Sequence, residues 1–218
     1  MVTFLLLLLL LGLIVSSACT AAPNPTVTPG PTLVEDATPT ALPTNSLSIL
    51  CELPPVTAPT KPAVIPDYTE LDESTGLHIT GKAPEINLED FRLKVNGKVN
   101  HRLSLTYDEL RCMPKITAEP ALICVGVFED VAQWSGVPLR YVLGLAGVQS
   151  DAKAVRLLGG DGYQVKMLME EALGEEIFLA YEWEGQPLPV LHGFPLRVVA
   201  PNLYGSNWVK WLIEINVE

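Results

Sequence analysis

Apolar and polar positions change their period several times along the 218 residues, and the changes mark the elements. FRLKVNGKVNHRLSL alternates and carries Asn96-Gly97 at its middle, which predicts a hairpin. Thr106-Tyr107-Asp108-Glu109 has capping-box spacing and predicts the start of a short helix. PALICVG around Cys124 reads as a strand leaving into a loop. SGVPLRYVLGLAGV takes helical spacing, with Pro138 near the start and Gly147 near the stop. KAVRLL, EIFLAYEW, LRVVA and WVKWLIEINVE read as strands, and MLMEEAL reads as a short helix. Strands outnumber helices and the connections are mixed. That predicts one strand-rich α+β domain over residues 67–218 rather than a doubly wound sheet.

Two stretches fall outside this pattern. Residues 4–15 are an apolar run, too short to span a bilayer comfortably and of the length of a signal-peptide core. The run ends in Ser16-Ser17-Ala18-Cys19, small residues before a cysteine. This resembles a bacterial lipobox, in which the Cys becomes the lipidated first residue of the mature protein. Residues 1–19 are therefore expected to be a lipoprotein-type signal peptide with Cys19 as the lipid site. The domain is then expected outside the cytoplasm, anchored to a membrane. Residues 20–66 hold eleven of the nineteen prolines among Thr and Ala. Such a stretch cannot bury enough surface to offset its ordering entropy, so an extended tether is expected. Cys51 lies inside it without an assigned role.

Charge narrows the partners. The net charge is −11, which argues against a nucleic-acid backbone as ligand. It does not exclude a small anion in a local pocket, because net charge is not local field. PVLHGFPLRVVAPNLYGSNWVKW places His192, Arg197 and Lys210 in an otherwise apolar, Gly- and Pro-containing segment. A bland loop needs none of the three, whereas an anionic ligand lying across the segment would use all of them. No Gly-rich phosphate loop, CxxCH haem attachment or paired CxxC is present in the sequence.

LAYEWEGQPLPVLHGFPLRVVAPNLYGSNWVKWL resembles the molybdopterin-binding domain shared by sulfite oxidases, plant nitrate reductases and bacterial periplasmic sulfoxide reductases. FRLKVNGKV, LSLTYDELRCMP, LICVG, WSGVPLRYVLGLAGV and GGDGY precede it in the family's order. The resemblance covers residues 77–217. It implies a Mo-molybdopterin cofactor with Cys124 as the thiolate ligand of molybdenum, a soft sulfur suited to that metal. It implies that His192, Arg197 and Lys210 hold the pterin and its phosphate, that the backbone at Trp208 and Val209 belongs to the same contact, and that Asp161 also touches the cofactor. Without the resemblance, Cys124 reads as a buried structural cysteine or as half of a Cys112–Cys124 disulfide, and Asp161 as a turn residue.

The activity implied is two-electron oxygen-atom transfer to or from a small-molecule substrate at a cysteine-ligated oxo-molybdenum centre. No haem segment is present, so electrons would pass to a separate protein or a quinone-linked membrane partner. Sulfite oxidases place Arg residues in an F-x-R-N-H motif and just after the ligand Cys. Here His78-Ile79-Thr80-Gly81-Lys82 and Val125-Gly126-Val127-Phe128-Glu129-Asp130 hold none, which leaves the substrate open and disfavours sulfite. A reading of another class is a metal-free surface binding module on the same fold.

Overall fold

The computed structural model describes residues 51–218. The expected signal peptide, the lipid site at Cys19 and most of the expected tether lie outside the described residues. β1 (Leu71–Asp72) and β2 (Leu77–His78) form a short antiparallel ribbon. β3 (Leu93–Gly97) and β4 (Leu103–Leu105) are the predicted hairpin, with Val95 opposite Leu103. Its connection runs through residues 98–102 instead of a tight Asn-Gly turn. Gly97 (φ +88°) serves another purpose: a Cβ there would collide with the Val217 backbone, which passes alongside.

α1 (Tyr107–Arg111) starts at the predicted capping box. Thr106 Oγ1 accepts from the Glu109 N–H at 3.1 Å, and the Glu109 carboxylate accepts from the Thr106 N–H at 2.7 Å. β5 (Ile116–Ala118) follows, then a ribbon of β6 (Ala121–Cys124) and β7 (Phe128–Val131). β8 (Trp134–Pro138) runs directly into α2 (Leu139–Ala146), so the helix starts after Pro138. Gly147 ends it in the left-handed conformation, as its position predicts. β9 (Ala154–Gly159), β10 (Gln164–Leu168), α3 (Met169–Ala172), β11 (Phe178–Trp183), β12 (Gln186–Pro187), β13 (Arg197–Val199) and β14 (Leu212–Val217) complete the chain.

The strands form two main sheets. One has the order β10-β9-β14-β3-β4, antiparallel except for the β14–β3 pair. The other has the order β12-β11-β8-β5, with β13 also paired to β11. The strand-rich α+β class is therefore as expected. One buried cluster joins side chains from both sheets, among them Leu93, Leu157 and Ile215 from the first and Trp134, Phe178 and Val198 from the second. α2 adds Leu139, Val142, Leu143 and Ala146 from a single face.

Two expectations change. WVKW, read as the start of the last strand, is irregular, and β14 begins only at Leu212. Residues 51–66 have no regular secondary structure yet run along the domain as a strap. Cys51 is disulfide-bonded to Cys112, the Pro54 carbonyl accepts from Arg111, and Val56 packs against the core. The pairing of Cys112 with Cys51 removes the Cys112–Cys124 alternative, and Cys124 is free.

Candidate active site

A cleft of about 320 Å³ opens between the ends of the two ribbons and the loops that flank β13 and precede β14. Its wall collects Cys124, Asp161, His192, Arg197, Trp208 and Lys210, residues spread over nearly ninety positions of sequence. Of the site residues expected in the domain, Val209 alone faces away. It is buried in the core and its carbonyl accepts from the Val198 N–H at 2.8 Å.

Each cation is held by backbone and aromatic neighbours, with no carboxylate in ion-pair contact among the described residues. Arg197 is at the start of β13 and is 3 % exposed. Its Nη1 donates to the His192 carbonyl at 3.0 Å, and its guanidinium lies 4.5 Å from the Trp134 ring centroid and 5.6 Å from that of Trp208. Gly193 (φ +119°) makes this turn feasible, since a Cβ there would press on Arg197 Cβ at 2.9 Å. Burial pushes Arg197 down to about 9, with the Asp130 carboxylate opposing. Lys210 Nζ donates to the carbonyls of Leu191, at 3.0 Å, and Thr80, and sits 4.6 Å from the Trp211 ring centroid. Burial and the nearby Arg197 push it down to about 7, against the pull of Asp161.

His192 ends a 3-10 turn and is 2 % exposed. Its Nε2 lies 2.9 Å from Thr75 Oγ1 and 3.1 Å from Asp72 Oδ2, both on the β1–β2 ribbon. Burial pushes its pKa down to about 4, with Lys210 and Arg197 adding to the fall and Asp72 opposing it. The imidazole is neutral at pH 7. Burial pushes Asp72 up, but hydrogen bonds from Ser74, His192 and Thr75 outweigh it and leave the carboxyl below its ordinary value. Asp161 holds its turn, accepting from the Tyr163 N–H at 3.0 Å, and also lines the cleft, so both sequence readings of it apply.

A second His–carboxylate pair lies in the same wall. His78 Nδ1 is 2.6 Å from Asp130 Oδ1, and its ring stacks on Phe128. His78 and Asp130 stand in the two stretches that lack the Arg residues of sulfite oxidases, so both positions were visible in the sequence. Their pairing across 52 positions was not, because neither ribbon leaves a pattern long enough to read.

Two donors of the wall lack acceptors. Arg197 Nε and Trp208 Nε1 are buried and have no hydrogen-bond partner among the described residues. Buried donors without partners are costly, and a ligand rich in acceptor atoms would relieve that cost. The cleft also holds the free Cys124 thiol. Among the described residues no group of three or more His, Cys, Asp or Glu could hold a metal, so a metal here must bring its other ligands with it. A pterin dithiolene with a phosphate does this, and the residues present fit that group.

Comparison with known proteins agrees. The oxidoreductase molybdopterin binding domain matches residues 80–218. The chain belongs to this family. It is 34 % identical over 128 residues to a putative protein-methionine-sulfoxide reductase subunit, YedZ1, of Azospira oryzae, covering 59 % of this chain and 49 % of that one. It is 32 % identical over 135 residues to the uncharacterized oxidoreductase YuiH of Bacillus subtilis, covering 61 % and 68 %. It is 32 % identical over 162 residues to mitochondrial sulfite oxidase of Drosophila melanogaster, covering 62 % and 28 %. The matched region thus spans from about a quarter to two thirds of these relatives. The sulfane dehydrogenase SoxCD of Paracoccus pantotrophus shares the fold, with a TM-score of 0.60 at 23 % identity over 84 % of this chain and 54 % of that one. The molybdopterin domain is thus an oxidoreductase domain, and Mo-molybdopterin is its cofactor.

Proposed function

We propose that this protein is an exported, lipid-anchored molybdenum oxidoreductase that moves an oxygen atom to or from a small substrate, with Cys124 as the protein ligand of the metal. The observation that carries this reading is the meeting, in one cleft, of a free thiol with buried donors that lack acceptors. When bound, the cofactor supplies the two-electron oxygen-atom exchange. Arg197 and Lys210 hold its anionic end by charge-assisted hydrogen bonds, each worth about 1.5–3 kcal/mol. His192, oriented by Asp72 and Thr75, stays neutral and fixes the pterin beside them. Asp161 and the Trp208 backbone complete the grip. The aromatic walls of Trp134, Trp208 and Trp211 exclude water from the cations.

The substrate is better matched by an uncharged oxygen donor such as a sulfoxide than by sulfite. In this reading Arg197 and Lys210 are taken up by the cofactor's anionic end, and Asp130 and Asp161 add carboxylates to the wall, a poor setting for a dianion. A relative named for methionine-sulfoxide reduction points the same way. Electrons come from a separate carrier, a membrane protein or a quinone-linked one. The Cys51–Cys112 disulfide supports an oxidising compartment and therefore export. A metal-free binding module has no use for unpartnered buried donors and is not favoured.

Protein matured in a host that makes molybdopterin is expected to carry close to one molybdenum per chain and to release a fluorescent pterin on acid oxidation. It should oxidise a reduced viologen dye with dimethyl sulfoxide faster than it reduces an acceptor dye with sulfite. Protein free of both metal and pterin, from a host that loads a known family member, would refute the reading.

A further inference from the structure

The cleft contains a histidine that the cofactor contacts do not use. His78 stands on β2, and three constraints fix its ring. Its own N–H donates to Asp130 Oδ2 at 2.8 Å, and its Nδ1 lies 2.6 Å from Asp130 Oδ1. Its face stacks on Phe128, with centroids 4.4 Å apart and the planes within 7°. A carboxylate only accepts, so Nδ1 carries a proton and donates it to Asp130. That leaves Nε2 as the working nitrogen. Nε2 has no partner among the described residues, and the side chain keeps 26 % of its surface exposed, in the cleft wall. Phe128 is also the register partner of Cys124, so the stacked ring stands beside the strand pair that carries the thiol.

Other polar side chains of the wall are tied to protein partners. Arg197 and Lys210 donate to carbonyls, and His192 is tied to Asp72 and Thr75. Tyr163 donates its hydroxyl to the Ser206 carbonyl at 2.9 Å, and Asp161 holds the Tyr163 N–H. His78 Nε2 is a ring nitrogen in the cleft wall with no partner among the described residues, on a side chain that stays partly exposed.

We propose that His78 Nε2 exchanges the proton that accompanies oxygen transfer in this cleft, with Asp130 as its positioning residue. This inference rests on the oxygen-transfer reading above. An oxygen atom that leaves its carrier and departs as water takes up two electrons and two protons. The electrons come from the separate carrier. The imidazolium of His78 gives one proton: its Nε2–H bond breaks and an O–H bond forms. The ring is then neutral, still donating Nδ1–H to Asp130, and regains its Nε2 proton from bulk solvent relayed through cleft water, a route that also delivers the second proton to the oxygen. In the oxidative direction the same nitrogen accepts a proton from the water that supplies the oxygen.

The test uses the full, cofactor-loaded chain and its His78→Ala, His78→Gln and Asp130→Asn variants. Molybdenum and pterin per chain should match the parent in all of them. Turnover of dimethyl sulfoxide with reduced viologen should fall about 100-fold or more in kcat for both His78 variants, with KM little changed. Added imidazole should restore part of the rate to His78→Ala and none to His78→Gln, whose side chain fills the space. In Asp130→Asn the rate should fall less, and the nitrogen NMR signal of His78 Nδ1–H should move. A His78→Ala chain fully loaded and within twofold of the parent rate would overturn the inference alone. Loss of cofactor from that variant would overturn it too, by assigning His78 to cofactor holding. Nitrogen NMR of the unloaded chain gives a separate check, since a His78 protonated on Nε2 and bare on Nδ1 would overturn the proposal whatever the cofactor does. A parent chain that takes up no molybdenum would sink the oxygen-transfer reading and this inference with it.

Discussion

At the scale of single residues, the cleft separates cysteines by role and cations by proton affinity. Cys124 is free and Cys112 is cross-linked elsewhere, so substitution of the two should have unrelated effects. Cys124→Ser replaces a soft thiolate by a hard hydroxyl of much lower acidity. Dye-linked turnover should fall to background, pterin should remain bound through Arg197 and Lys210, and the thermal midpoint should stay within a few degrees of the parent. Activity unaffected by Cys124→Ser would refute metal ligation. Lys210 gives a pH prediction. Its ammonium is pushed down to about 7 without a ligand, and a phosphate against Nζ would lift it. Between the unbound and bound values the complex holds one proton more than the separate partners, so binding takes up a proton. Pterin retention after gel filtration should therefore be full below the unbound value and weaken as pH rises above 7, by at most about tenfold in affinity per unit. The second ionisation of a phosphate, near pH 6, lies below that range, so its charge changes little there and any residual change opposes the trend. Lys210→Met should retain less pterin and show no such slope.

At the scale of elements, the sequence is most readable where one local interaction defines an end. The Thr106–Glu109 capping box and the Pro138–Gly147 bracket of α2 act within a few residues, and both are found where spacing places them. The β3–β4 hairpin is present, but its turn was misread. Asn96-Gly97 carries a local turn preference, yet Gly97 is needed for the close approach of β14, a contact from the other end of the chain. The WVKW segment fails for a related reason. Trp and Val favour strands by propensity, but here Trp211 is held at φ +51° by its indole bond to the Val190 carbonyl at 2.7 Å. Lys210 is anchored to Thr80 and Leu191. Tertiary contacts override strand preference at the segment that builds the site. β1 and β2, two residues each, have no readable period, and they bring Asp72 and His78 to the cleft. That Cys124, Asp161, His192, Arg197, Trp208 and Lys210 belong together was legible only through family resemblance, and the fold brings them into one cleft. The two His–Asp pairs were not, because pairing across 52 and 120 positions leaves no spacing to read.

At the scale of the whole molecule, the Cys51–Cys112 disulfide closes a ring of chain whose ends are 61 positions apart, with Cα atoms 5.8 Å apart. That ring contains the strap, the β1–β2 ribbon with Asp72 and His78, and the β3–β4 hairpin. Closing a loop of this length removes denatured-state entropy worth about 4 kcal/mol at 25 °C in the chain-entropy model. The strap has few other ties to the domain: the Pro54 carbonyl to Arg111, Val56 on the core, and Lys61 to the Ala83 carbonyl at 3.4 Å. Opening the bond frees the native strap as well as the unfolded chain, so 4 kcal/mol is an upper value. Cys51→Ser and Cys112→Ser should lower the thermal midpoint equally, by roughly 5–15 °C for a domain of this size. The double variant should lose no more than either single one, because all three lack the same bond. Dithiothreitol should bring the parent down to the variants' midpoint and leave the variants where they are. At 25 °C all should keep cofactor and turnover, since neither sulfur lines the cleft. Unequal losses in the single variants, or an additive loss in the double, would show that the two cysteines do not act as a pair. The same scan on Cys124→Ser is the internal control, with its midpoint unchanged and its response to dithiothreitol that of the parent.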